Sequence, residues 1–124
     1  MGKKILIIDD TDTDRKIVIR YLNRAGHDNI ITAGTGEEGV EKAASEKPDL
    51  VITDTNMPGI DGFETCRKIR EASGKVTPKI IVTTGAIDAV DAIKARKAGA
   101  DDYCVKTSDC SQLLTAVKNL LGEV

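Results

Sequence analysis

Three aspartates, two threonines and a lysine stand at or just beyond the ends of short runs rich in Ile, Leu and Val. Asp9 and Asp10 follow KILII, Asp54 closes LVITD, Thr83 and Thr84 close IIVTT, and Lys106 follows YCV. Singly, an aspartate after such a run is most simply a turn former or a helix cap. Jointly, carboxylates brought to one place repel one another, and keeping all of them ionised costs free energy unless a cation sits among them. An oxygen-only donor set suits a hard metal. Magnesium fits because it accepts one or two protein carboxylates, keeps several waters and takes phosphate oxygen as a further ligand; manganese is the alternative. Lys106 can neutralise one phosphoryl oxygen, and the hydroxyl of Thr84 can donate to another. Beside such a site a carboxylate can act as nucleophile and form an acyl phosphate. Asp54 is the candidate nucleophile, alone at the end of its run, whereas the adjacent Asp9 and Asp10 are better placed as metal ligands. The segment NMPGIDG, with Pro58, Gly59 and Gly62, reads as a tight loop that brings backbone groups close to the ion.

For these residues to meet, the runs that carry them must be neighbouring strands. Five are expected: Lys4 to Asp9, Asn29 to Ala33, Leu50 to Asp54, Lys79 to Thr84 and Asp101 to Val105. Between them lie segments of helical period, so the pattern predicts an α/β fold with a parallel sheet. The first run is continuously apolar, as expected of a strand covered by helices on both faces. The (βα)5 order predicts right-handed crossovers and strand order 2-1-3-4-5, with ligands beyond the carboxyl ends of the strands. Helix signals recur. Thr11 with Asp14, and Thr35 with Glu38, read as capping boxes. Ile17, Val18, Tyr21, Leu22 and Ala25 form an apolar stripe closed by Gly26, and Leu113, Leu114, Val117, Leu120 and Leu121 form another. A third helix is expected from about Asp61 to Ala72, ending near Gly74, and a fourth from about Asp88 to Ala98, ending at Gly99.

Composition bounds the function. The 124 residues, 40% hydrophobic, fit one domain spanning 1–124. A net charge of −2 offers no field for nucleic acid or an anionic membrane, and the near absence of aromatics removes stacking platforms for single strands. No run approaches a membrane span and no signal peptide opens the chain, so a cytoplasmic protein is expected. Cys66, Cys104 and Cys110 lack metal-ligand spacing and are expected to be buried or half-buried thiols. His27, in a loop with no second ligand nearby, is expected at the surface without a role.

These residues resemble the receiver domain of bacterial two-component response regulators, the flavodoxin-like fold of the chemotaxis regulator. The acidic pair Asp9 and Asp10, Asp54 in DTNMPGIDG, Thr84-Gly85 and Lys106 fall in family order over essentially the whole chain. The resemblance implies that Asp54 accepts phosphate from a histidine kinase or histidine phosphotransfer protein. It implies metal binding by Asp10, Asp54 and the backbone carbonyl of Asn56, with Asp9 helping through water. It also implies a switch hydroxyl at Thr84, an aromatic rotamer switch at Tyr103, and an effector surface on helix four, strand five and helix five. Such a domain is a regulatory phosphoacceptor that catalyses its own phosphotransfer and dephosphorylation, not an enzyme. The chain carries no output domain, so its effect is expected through a separate protein, unless it is a piece of a larger regulator. One departure stands out. Receivers generally follow the lysine with proline, and here Thr107 follows. A cis bond before threonine costs about 2.5 to 4 kcal/mol, so a trans bond is expected, with a rearranged loop from Thr107 to Asp109 that puts the reach of Lys106 in question.

Competing readings are weaker. DTDTD from Asp10 to Asp14 begins like a calcium loop, but Arg15 and Tyr21 stand where glycine and glutamate belong; Asp12 and Asp14 better suit the first turn of a helix. D-x-D at Asp10 and Asp12 is how aspartyl-phosphate phosphohydrolases begin, yet the spacing of Asp54, Thr84 and Lys106 favours the receiver. A pseudo-receiver that binds partners without phosphorylation is the remaining alternative, kept open by Thr107.

Overall fold

The computed structural model describes residues 3–73, 78–85 and 88–122. Five strands alternate with five helices: β1 (Ile5–Ile8), α1 (Asp12–Arg24), β2 (Ile30–Ala33), α2 (Gly36–Glu46), β3 (Leu50–Asp54), α3 (Gly62–Ser73), β4 (Lys79–Thr84), α4 (Ala89–Ala98), β5 (Asp102–Val105) and α5 (Ser111–Leu121). The sheet is parallel throughout, in the order β2-β1-β3-β4-β5. Each strand lies within one residue of its sequence expectation.

The unbroken apolar runs are explained by two cores. Side chains alternate across a strand. Ile5 and Ile7 therefore join Leu50, Ile52, Ile81 and Cys104 on one face, where Leu22 of α1 and Leu113, Ala116 and Val117 of α5 cover them. Leu6 and Ile8 join Val51 and Ile80 on the other, beneath Ala43 of α2, Cys66 and Ile69 of α3 and Ala98 of α4. A strand buried on both faces has no polar position to alternate with. Leu22 is fully buried, and truncating such a side chain to Ala typically costs about 2 to 5 kcal/mol.

Local signals set several helix ends. Thr35 Oγ1 accepts from the Glu38 N–H at 3.1 Å, while the Glu38 carboxylate reaches back to the Gly34 N–H at 2.8 Å. Asp88 caps α4 by accepting from the Val90 N–H at 2.7 Å, and Gly99 closes that helix at φ 101°. Gly74, the expected end of α3, lies outside the described residues.

Three expectations are corrected. Thr11 occupies the N-cap of α1 but its side chain makes no capping bond, and its N–H, which a capping box would give to Asp14, donates to Asp9 Oδ1 at 2.9 Å. Ile17 is 38% exposed and Ala25 is exposed, so the inward stripe of α1 is Val18, Ile19, Tyr21 and Leu22. His27 is buried: after Gly26, at φ 98°, the chain folds back and the His27 N–H bonds to the Leu22 carbonyl at 2.9 Å. Among the described residues, no helix is long and apolar enough to cross a membrane.

Candidate functional site

The strand order reverses between β1 and β3, since the chain leaves β1 for β2 on one side and comes back to β3 on the other. Such a reversal leaves a crevice beyond the carboxyl ends of the two strands. Asp9 follows β1, and Asp54 closes β3 in register with Thr83 of β4. Asp9, Asp10 and Asp54 each present an oxygen within 4.8 Å of the others. Asp9 is buried, Asp54 half-buried and Asp10 exposed, so the cluster runs from the sheet edge out to solvent.

Each inner carboxylate has its two oxygens held differently. Asp9 Oδ1 accepts from the Thr11 N–H at 2.9 Å and its Oδ2 from Lys106 Nζ at 2.9 Å. Asp54 Oδ1 accepts from the Thr55 N–H at 2.8 Å, and its Oδ2 lies 3.3 Å from Lys106 Nζ. Lys106 also donates to Asp14 Oδ2 at 2.9 Å. One ammonium thus serves three carboxylates.

The charges shape one another. Burial pushes the Asp54 carboxyl above its usual range; the Lys106 charge opposes this and the Asp9 charge adds to it. Burial works against the Lys106 ammonium, but its bonds to Asp14 and Asp9 and the charges of Asp54 and Asp9 outweigh that, so its pKa is raised. A crowded set of oxygen donors around a lysine already committed to neutralising them matches the donor chemistry of a small hard dication.

The other residues singled out by sequence lie around this centre. Thr84 ends β4, is buried, and accepts the Lys106 N–H on its carbonyl at 2.6 Å. Tyr103 is half-buried on β5, and its hydroxyl is a buried group without a hydrogen-bond partner among the described residues. Asn56 follows Asp54 by two positions with its side chain exposed. The Lys106–Thr107 bond is trans. The loop beyond it closes through Thr107 Oγ1 donating to Asp109 Oδ1 at 2.8 Å, with the Ser111 N–H donating to the same oxygen at 3.1 Å. Lys106 reaches the carboxylates without a proline after it.

Two features went unread in the sequence. Asp14 belongs to the site through Lys106; its place in the first turn of α1, four positions after Asp10, was the available signal. Gly62 opens α3 directly against the Asp54 backbone, so close that a Cβ there would meet the Asp54 carbonyl oxygen. Asp9, Asp14, Asp54 and Lys106 line one part of a cavity of about 210 Å³ whose apolar wall includes Ile7 and Leu113.

Against known proteins, the family model described as the response regulator receiver domain matches residues 5–118. The alkaline phosphatase synthesis transcriptional regulatory protein PhoP of Bacillus subtilis is 36% identical over 121 residues, covering 98% of this chain and 49% of that protein. Protein PilH of Pseudomonas aeruginosa is 36% identical over 120 residues, covering 96% of this chain and 98% of its own. This chain spans about half the length of several of the curated relatives it matches. Among solved structures, the Vibrio cholerae chemotaxis protein CheY4 superposes with a TM-score of 0.88 at 28% identity, over 97% of this chain and 99% of that one.

Proposed function

The chain belongs to the response regulator receiver domain family, and from that premise we propose that it is a phosphorylation-dependent switch whose acceptor is Asp54. Receiver domains are regulatory modules of two-component signal transduction; they bind Mg2+ through acidic residues and interact with histidine kinases and downstream effectors. The observation that carries the reading is the meeting of Asp9, Asp10 and Asp54 oxygens within 4.8 Å, with Lys106 Nζ 3.3 Å from Asp54.

In this reading Asp9, Asp10, Asp54 and the backbone carbonyl of Asn56 hold Mg2+, with Mn2+ as a substitute. The ion would supply charge neutralisation at the transferring phosphoryl group. Asp54 attacks the phosphorus of a phosphohistidine on a kinase or phosphotransfer protein. The new P–O bond forms as the P–N bond breaks, and the departing imidazole takes up a proton. Lys106 neutralises a phosphoryl oxygen and Thr84 donates to another, each stabilising charge where it develops. Water later hydrolyses the acyl phosphate, which returns Asp54 to its free carboxylate and releases inorganic phosphate.

The switch would run from Thr84 to Tyr103 and out to the face formed by α4, β5 and α5. An unpartnered buried hydroxyl costs free energy, which leaves Tyr103 poised to adopt a different rotamer. Val90 and Ile93 on α4 are 60% and 56% exposed, an apolar pair suited to a downstream protein. Phosphorylation would bias this two-state surface toward binding. We place the protein in the cytoplasm, away from membrane and without direct nucleic-acid contact.

The test is incubation of the purified protein with Mg2+ and a small acyl-phosphate donor, followed by intact-mass measurement. One phosphoryl group is expected, dependent on Mg2+ and lost in Asp54→Asn. An adduct that survives this substitution, or maps to Asp10, overturns the assignment.

A further inference from the structure

Lysine is a poor positioning device unless something holds it. Its ammonium rides on a flexible four-carbon stem with about 2 kcal/mol of rotamer entropy, and its three N–H donors rotate freely. In this structure Lys106 Nζ donates hydrogen bonds to Asp9 and Asp14, each at 2.9 Å, and pairs with Asp54 as an ion at 3.3 Å. The longest of the three is the one to Asp54. Asp9 stands directly after β1 and Asp14 in the first turn of α1, so both anchors come from the β1–α1 connection.

Asp14 differs from the other partners in what else it does. Asp9 and Asp54 belong to the oxygen cluster suited to a cation, and Asp14 does not. Asp12 and Asp14 both lie in the first turn of α1, but Asp12 pairs with Arg15 and Lys16 of its own helix, whereas Asp14 bonds to Lys106. Asp14 is therefore the one anchor of Lys106 that neither a metal nor a phosphoryl group would draw on.

We propose that Asp14 is a positioning residue for Lys106. With Asp9 it fixes two of the three N–H donors, so that the third is aimed at Asp54 and at the phosphoryl group formed there. The inference rests on the phosphoacceptor reading of Asp54. Its consequence is kinetic: the lysine arrives pre-oriented and loses little freedom when the phosphoryl oxygen replaces Asp54 Oδ2 as its acceptor.

The test compares Asp14→Ala, which removes the acceptor, with Asp14→Asn, which keeps an amide oxygen that can accept from Nζ. Phosphorylation by a small acyl phosphate at saturating Mg2+ should slow about tenfold in Asp14→Ala and about twofold in Asp14→Asn, the scale of one hydrogen bond. Mg2+ affinity, read by titration, should change less than either rate. A second readout needs no phosphorylation: the 15N-edited signal of the Lys106 ammonium, slowed in exchange by its three partners, should broaden in Asp14→Ala and persist in Asp14→Asn. Wild-type rates in Asp14→Ala, or equal losses in both variants with an unchanged ammonium signal, overturn the proposal. If the wild-type protein takes no phosphoryl group, the phosphoacceptor reading fails separately, and the ammonium signal still decides whether Asp14 holds Lys106.

Discussion

A Cβ on Gly62 would come within 2.0 Å of the backbone carbonyl oxygen of Asp54 and within 3.0 Å of the Thr55 Cα. Both neighbours are backbone, and the Gly62 N–H also donates to the Thr55 carbonyl at 2.8 Å. No side chain can swing aside to make room. Gly62→Ala must therefore displace either the start of α3 or the end of β3, where the Asp54 carboxylate sits. The expected cost is about 1 to 3 kcal/mol of stability, the usual scale for overpacking. Phosphorylation should fall by more than the loss of folded protein explains. Urea unfolding together with the intact-mass assay checks both; a variant as stable and as readily phosphorylated as wild type is incompatible with this packing.

Asp54 is held at a cost in the metal-free protein. Its carboxyl pKa is raised first by burial, against the Lys106 charge and with the help of the Asp9 charge. A carboxyl whose folded pKa exceeds its unfolded one binds protons more tightly when folded, so stability falls as pH rises through the window from the unfolded value, near 3.8, to the raised one. Above that window the penalty is fully present. Asp54→Asn should then be more stable than wild type at neutral pH in the presence of a chelator, and should lose this part of the pH dependence. Thermal melts across that range measure it. A less stable Asp54→Asn protein would mean that Lys106 outweighs burial.

Mg2+ should stabilise the fold by mass action. At a free concentration of about 100 Kd the gain is about 2.7 kcal/mol, and chelation should reverse it. Asp10 isolates the effect, because it is exposed and supplies one of the clustered oxygens. Asp10→Asn should leave the metal-free protein at least as stable as wild type, since one of several mutually repelling charges is gone, while the Mg2+-induced rise in melting temperature shrinks. An undiminished rise would remove Asp10 from the ligand set.

What the sequence disclosed depended on the range of the forces involved. The strands were readable to within one residue because two-sided burial leaves a continuous apolar run, and Thr35 was readable as a cap because its partner is three residues away. The centre was readable because topology alone carries the strand ends to one rim. Asp14 was not readable as more than a helix-end residue. Its partner, Lys106, lies 92 positions away, and the Thr11 N–H that a capping box would give to Asp14 goes to Asp9 instead. His27 was misread for a similar reason: its burial follows from the reversal at Gly26, which a loop composition does not announce. Ile17 satisfied the helical period but is 38% exposed at the rim of the cavity, whereas Ile19 packs on the core.

The three cysteines give a prediction that bears on the fold alone. Cys66, Cys104 and Cys110 are free and buried. Burial pushes the Cys66 thiol up to about 11 and the Cys104 thiol up to about 12, and raises Cys110 as well. Cys66 Sγ faces the Ala98 carbonyl at 3.4 Å, between α3 and the end of α4. The thiolate is the reactive species, so a thiol moved from 9.0 to about 11 has about a hundredfold less of it at pH 8. Inaccessibility adds to that. A disulfide reagent such as Ellman's should label Cys66 and Cys104 of the native protein at least about a hundredfold more slowly than in the urea-unfolded chain. Cys110 should react first, because its backbone sits in the loop before α5 and it is the most exposed of the three at 6%. Labelling that tracks global unfolding for Cys66 and Cys104 would fit their place in the two cores. Either of those thiols reacting in the native state at its unfolded rate would contradict the packing described here.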